Sequence, residues 1–171
     1  MVSLRQAFRH TPGEKATTPY RLVVYVTGGE SDARLLQVVQ KISERQNTLI
    51  TIAFVVEVDQ SMPLDAELPA DVDRGEEALI TCEAFASKCV GGKRENVRTE
   101  LLQARSAGAA IVDEAIETGA SAIMLAAVLK KKHGRLELGK TVDYVLRNAP
   151  CEVVVIREAQ QAPALEALEM S

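Results

Sequence analysis

The sequence predicts an α/β fold: a three-layer, doubly wound sheet of five parallel strands with helices on both faces. Three observations lead there. Short apolar runs alternate with segments of helical periodicity in the order β-α-β-α-β-α-β-α-β, the arrangement of a doubly wound parallel sheet. Two of the runs, Leu49 to Val56 and Ala122 to Ala126, are apolar on both faces, as strands covered from both sides must be. A third, Val97 to Leu102, sets Val97, Thr99 and Leu101 against Arg98 and Glu100, which marks a strand wet on one face. Of the two common strand orders, 2-1-3-4-5 would bury that amphipathic strand at the sheet centre and push the apolar second strand to an edge. The order 3-2-1-4-5 is therefore expected.

The elements follow in turn. Residues 1–19 are polar, broken by Pro12-Gly13 and Pro19, and mildly basic through Arg5, Arg9, His10 and Lys15; they read as a flexible arm. Arg21 to Val26 is the first strand, ending in Thr27-Gly28-Gly29-Glu30. Ser31 is an expected N-cap, and Leu35, Val38, Val39 and Ile42 form the stripe of the helix it opens. After the second strand, Asp59 to Pro69 is a linker. A helix then runs from about Val72 to Val90 with Leu79, Cys82, Phe85, Ala86 and Cys89 inward, closed by Gly91-Gly92. Beyond the third strand, Ser106 caps a helix with Ile111, Val112, Ala115 and Ile116 inward, and Gly119 ends it.

Ser121 to Arg157 is the most informative stretch. Ala122 to Ala126 is the fourth strand, Lys130, Lys131, Lys132, His133 and Arg135 lie in a basic loop, and Gly139-Lys140-Thr141 opens a helix. Val142, Val145 and Leu146 recur at helical spacing, Asp143 and Arg147 sit four apart, and Ala149-Pro150 stops the helix before the strand Glu152 to Ile156. Strand, helix and strand within about 35 residues form a crossover of the kind that builds parallel sheets. The tail 159–171 holds Leu165 and Leu168 after Pro163, a frayed helical turn by expectation.

Length and charge narrow the function. The 171 residues suit one domain with a proper core, and the net charge of −4 argues against a general nucleic-acid binder. With 4% aromatics and no tryptophan there is no base-stacking platform. No apolar run has the length of a signal peptide or a bilayer span, so the cytoplasm is the expected compartment. Cys82 and Cys89 lie seven apart on one expected helix, roughly 10 Å between Cα atoms, too far to bridge. All three cysteines read as small buried apolar residues, and no spacing suits a metal.

The stretch Ala149-Pro150-Cys151-Glu152-Val153-Val154-Val155 resembles the ending of the universal stress protein family, whose members carry a G-x2-G-x9-G-[ST] phosphate loop after the fourth strand. Gly139 falls on the third glycine of that motif, while Ala126 and Leu129 stand at the first two. Lys140 occupies the usual Ser/Thr place, with Thr141 next. The resemblance spans a domain of residues 20–158 and implies a Rossmann-like fold in the order 3-2-1-4-5. It further implies a homodimer paired through strand 152–156 and an adenine nucleotide such as ATP in the crevice between strands one and four. The residues implied to touch it are Thr27, Gly28, Gly29, Val55, Ala126, Leu129, Gly139, Lys140 and Thr141. Val55 would line the base pocket. Gly28 stands where nucleotide-binding members have an Asp, so weak or altered binding is expected. The wording of 100–117 is also similar to stress-protein domains that accompany amino-acid permeases, which implies a membrane transporter as a partner.

Enzymatic readings find little support in the residues. Gly134-Arg-Leu-Glu-Leu-Gly139-Lys140-Thr141 matches G-x-x-x-x-G-K-[ST] letter for letter, but no strand leads into Gly134 and the interior residues are bulky for a phosphate cradle. A P-loop nucleotide hydrolase is the lesser alternative. His10 and His133 are the only histidines, no Ser-centred elbow occurs, and Glu30 is an isolated loop acid. The expectation is a binding or regulatory protein rather than an enzyme, with weak ATP hydrolysis left open, no metal site of its own, and a ligand-free dimeric adaptor as the rival reading.

Overall fold

The computed structural model describes residues 18–127 and 129–157. The N-terminal arm up to residue 17 and the C-terminal tail from residue 158 lie outside them. Seven strands and four α-helices follow in order: β1 (Tyr20–Tyr25), α1 (Ser31–Ser43), β2 (Thr48–Glu57), α2 (Pro69–Cys89), β3 (Val97–Ala104), α3 (Ala107–Thr118), β4 (Ala122–Ala126), β5 (Leu129–Lys132), β6 (Arg135–Leu138), α4 (Lys140–Asn148) and β7 (Glu152–Ile156). Five strands form one parallel sheet in the order β3-β2-β1-β4-β7. With β7 counted as the fifth parallel strand, this is the expected 3-2-1-4-5.

Period-two alternation divides the core between two faces. Leu22, Val24, Ile50, Ile52, Phe54 and Met124 pack under α1 and α2. Val23, Ala53, Val55, Ile123 and Leu125 pack under α3 and α4. Local signals set several boundaries as expected. The Ser106 hydroxyl accepts the Ala109 N–H at 3.4 Å to cap α3, and Gly119 closes it in the left-handed region at φ 60°. Gly139 is the N-cap of α4, and Arg147 meets Asp143 at 3.0 Å on its outer face.

Four expectations are corrected. Helix α1 begins at Ser31 itself, with Glu30 rather than Ser31 in the cap position. Helix α2 starts at Pro69, inside what reads as linker, because proline suits the first helical turn. Ile116 and Leu146, placed inward by periodicity, are exposed; each lies at the margin of a stripe that its neighbours already fill. The basic loop is not a loop but an antiparallel hairpin, β5 pairing with β6 from Leu129↔Leu138 to Lys132↔Arg135. Its two-residue turn has His133 at φ 50° and Gly134 at φ 78°, the paired positive angles that close a tight hairpin. The hairpin explains the P-loop match: Gly134 serves the turn, and Arg135 to Leu138 form a strand.

Candidate functional site

The sheet reverses direction of winding between β1 and β4, where Tyr25 pairs with Leu125. Loops leaving these strands at their carboxyl ends diverge and open a crevice. On one side stands Thr27-Gly28-Gly29, with Gly28 at φ 75°. On the other stand Ala126, at the end of β4, and Gly139, at the start of α4. Among the described residues no side chain caps the α4 N-terminus, which leaves its first N–H groups, with the exposed Lys140 beside them, suited to an anion.

The β1 loop is different. Its amides already hold an anion, the protein's own Asp32. That carboxylate is buried and accepts the Thr27 N–H at 3.1 Å and the Gly28 N–H at 2.7 Å. Burial raises its pKa, against the pull of the amide hydrogen bonds from Thr27 and Gly28. A nucleotide touching Thr27 and Gly28, as the resemblance implies, would meet Asp32 on these amides.

The residues singled out from the sequence do not share one cavity. Thr27 and Val55 line a small hollow of about 220 Å³ with Tyr25, Glu57, Asp71 and Arg74. Gly28 and Gly29 line a separate groove of about 700 Å³ between α1 and α2. Ala126, Leu129, Gly139, Lys140 and Thr141 line neither. Leu129 belongs to the hairpin, paired with Leu138, and so does not sit in a phosphate-wrapping loop.

Arg74 is the group that sequence reasoning missed. It lies at the mouth of both hollows, 5.9 Å from the Phe54 ring centroid and 3.1 Å from Asp71. Tyr25, pushed up to about 12 chiefly by burial and then by Glu57, stays a neutral phenol at the floor of the smaller hollow. Glu57 itself is engaged, accepting the Ala107 N–H at 2.8 Å and so capping α3 together with Ser106. Among the described residues no group of three or more His, Cys, Asp or Glu could hold a metal. The three cysteines are unpaired, and burial raises all three thiols, Cys82 to about 11.

An open parallel sheet whose winding reverses between β1 and β4 defines a doubly wound α/β protein. The universal stress protein family matches over residues 19–157, and the chain belongs to it. Among similar solved structures is the universal stress protein UspA of Lactobacillus plantarum, with TM-score 0.63 and 22% identity, covering 81% of this chain and 97% of that one. A universal stress protein of Archaeoglobus fulgidus in complex with dAMP gives 0.59 and 16%, covering 81% and 97%. A universal stress protein in complex with cAMP gives 0.61 and 19%, covering 84% and 100%. Comparison with curated protein sequences found no match.

Proposed function

We propose that the chain is a regulatory binding protein that takes an adenine nucleotide weakly in the β1/β4 crevice. The observation that carries this reading is the uncapped α4 N-terminus at the switch point, with Lys140 and Thr141 in its first turn. The dAMP and cAMP complexes of relatives with the same fold support it. Phosphate would meet the α4 amides and Lys140, and the base would lie toward Val55 and Thr27.

Two features hold affinity down. A ligand seeking the Thr27 and Gly28 amides must displace Asp32. Gly28, where the family resemblance implies an acidic residue, offers no side chain, and one missing hydrogen bond costs about 0.5–1.5 kcal/mol, up to about tenfold in affinity. Calorimetry with ATP, ADP, AMP and cyclic dinucleotides is expected to give ATP binding in the micromolar range or weaker. Lys140→Ala should weaken it about fivefold, the worth of one ammonium beside a phosphate at a helix N-terminus. Nanomolar ATP binding would overturn the weak-site reading.

The occupied β1 loop favours a second reading, a ligand-free dimeric adaptor, which a preparation with no nucleotide binding would support. A membrane transporter is the partner proposed for such an adaptor, and the cytoplasm the compartment of either reading. Among the described residues no helix is long and apolar enough to cross a membrane.

A further inference from the structure

The flank of α3 away from α4 leaves the outer part of the sheet, along β3, only partly covered. Two hollows lie there, of about 410 Å³ and 310 Å³, and both are lined by Glu114 and Glu117. Together they make a trough along β3. It begins at Arg21, Glu95 and Arg98 at the amino end of the strands and ends at Arg105 and Asp113. This flank is separate from the β1/β4 crevice and shares no residue with the nucleotide reading.

The charges in the trough do not balance. Arg98 pairs with Glu100. Arg21, which donates to the Thr118 carbonyl at 3.2 Å, and Arg105, which donates to the carbonyls of Val58 and Asp59, keep their positive charges, two against four carboxylates. Four carboxylates, Glu95, Asp113, Glu114 and Glu117, have no ion pair among the described residues. Glu114 is the most telling. The residue is 6% exposed, and its Oε1 has no hydrogen-bond partner among the described residues. A buried carboxylate left without a partner is costly, so such groups call for an explanation. Burial first, then Glu100 and Glu117, raise its pKa, while Arg98 lowers it.

A missing counter-charge has to be a cation, and its shape is constrained. The carboxylates do not converge as metal ligands would; no metal-competent cluster exists among the described residues. They are strung out instead: Glu114 and Glu117 are one helical turn apart, about 5 Å, with Asp113 toward one end and Glu95 toward the other. Between them the walls are apolar, with Leu49, Leu102, Ala109 and Ala110. Alternating negative and apolar patches at this spacing match alternating ammonium groups and three- or four-carbon methylene runs.

We propose that this trough binds a linear aliphatic polyamine, with the Glu114 carboxylate as its buried counter-charge and Glu117 as the next contact along the chain. The methylene runs lie on the apolar wall, and the terminal ammonium groups reach Glu95 and Asp113.

The test is calorimetry of the full chain with spermidine at near-physiological ionic strength, repeated with excess magnesium. Saturable binding is expected, persisting in magnesium, and weakened at least tenfold by Glu114→Gln and severalfold by Glu117→Gln. Glu117 is exposed, so its variant carries the test even if Glu114→Gln fails to fold. No binding, binding abolished by magnesium, or equal binding by the Glu117→Gln protein would overturn the proposal, the last two as signs of a diffuse ion atmosphere. Binding of oligolysine without binding of spermidine would also overturn it, in favour of a basic protein partner.

Discussion

Glu114 sits against β3 with an unpartnered oxygen, and its raised pKa has a consequence for stability. A carboxyl whose folded pKa lies above its unfolded one costs stability when ionised. The penalty is absent below the ordinary glutamate range and grows as pH rises through the folded value. Glu114→Gln removes the charge and keeps the shape. Without added amine, its melting temperature should exceed that of the wild type at pH 8, and the gap should close toward pH 4. A melt at pH 8 that is unchanged or lower would mean that the carboxylate is already compensated. Neither Glu114 nor Asp32 was legible in the sequence. Glu114 matters through the charges of Glu100 and Arg98 on β3, which only the fold brings beside it. The role of Asp32 depends on a loop that turns back onto it, and the neighbouring Ser31 offered a plainer cap. Gly139, Ser106 and Gly119 were legible because their work is done within a turn of where they stand.

Elements meet through glycine at two places that periodicity does not reveal. A Cβ on Gly75 would lie 2.5 Å from Leu101 Cδ1 and 2.7 Å from Phe54 Cδ1, so α2 rests directly on β2 and β3. A Cβ on Gly108 would lie 2.8 Å from Tyr144 Cβ, an atom held by the α4 backbone. Alanine at either site gains up to about 1 kcal/mol of helix propensity. Overpacking costs about 1–3 kcal/mol, and more where the neighbour cannot swing aside. Gly75→Ala and Gly108→Ala should both lower the urea midpoint with an unchanged slope, because Phe54 is 2% exposed and Tyr144 could yield only with its helix. A raised midpoint in either would show that the helix shifts freely. The hairpin β5–β6 escaped the sequence reading for another reason. Four consecutive basic residues, Lys130 to His133, hide the alternation of a strand, and the His133-Gly134 turn lacks the usual Asn or Asp before its glycine.

At the scale of the whole molecule, strand order was legible because burial differs so much between strands. β2 is covered from both sides and β3 is only partly covered, so the apolar run had to be interior and the alternating run an edge. The same logic makes β7 the other edge. Among the described residues its one neighbour is β4, and Val153, Val154, Val155 and Ile156 are all half-buried. At its start Glu152 accepts the Tyr20 hydroxyl at 2.8 Å, which ties the strand to β1 across β4. From Val153 to Ile156 there is no charge or proline to keep another chain away, and natural edges usually carry such a guard. We propose that two copies pair β7 antiparallel across a two-fold axis, the commonest oligomer symmetry. Light scattering at micromolar concentration should then report a dimer. Val154→Lys, which sets an ammonium in the paired edge, should shift it to monomer with its circular dichroism unchanged. A monomeric wild type, or a folded Val154→Lys protein that remains a dimer, would remove β7 as the interface.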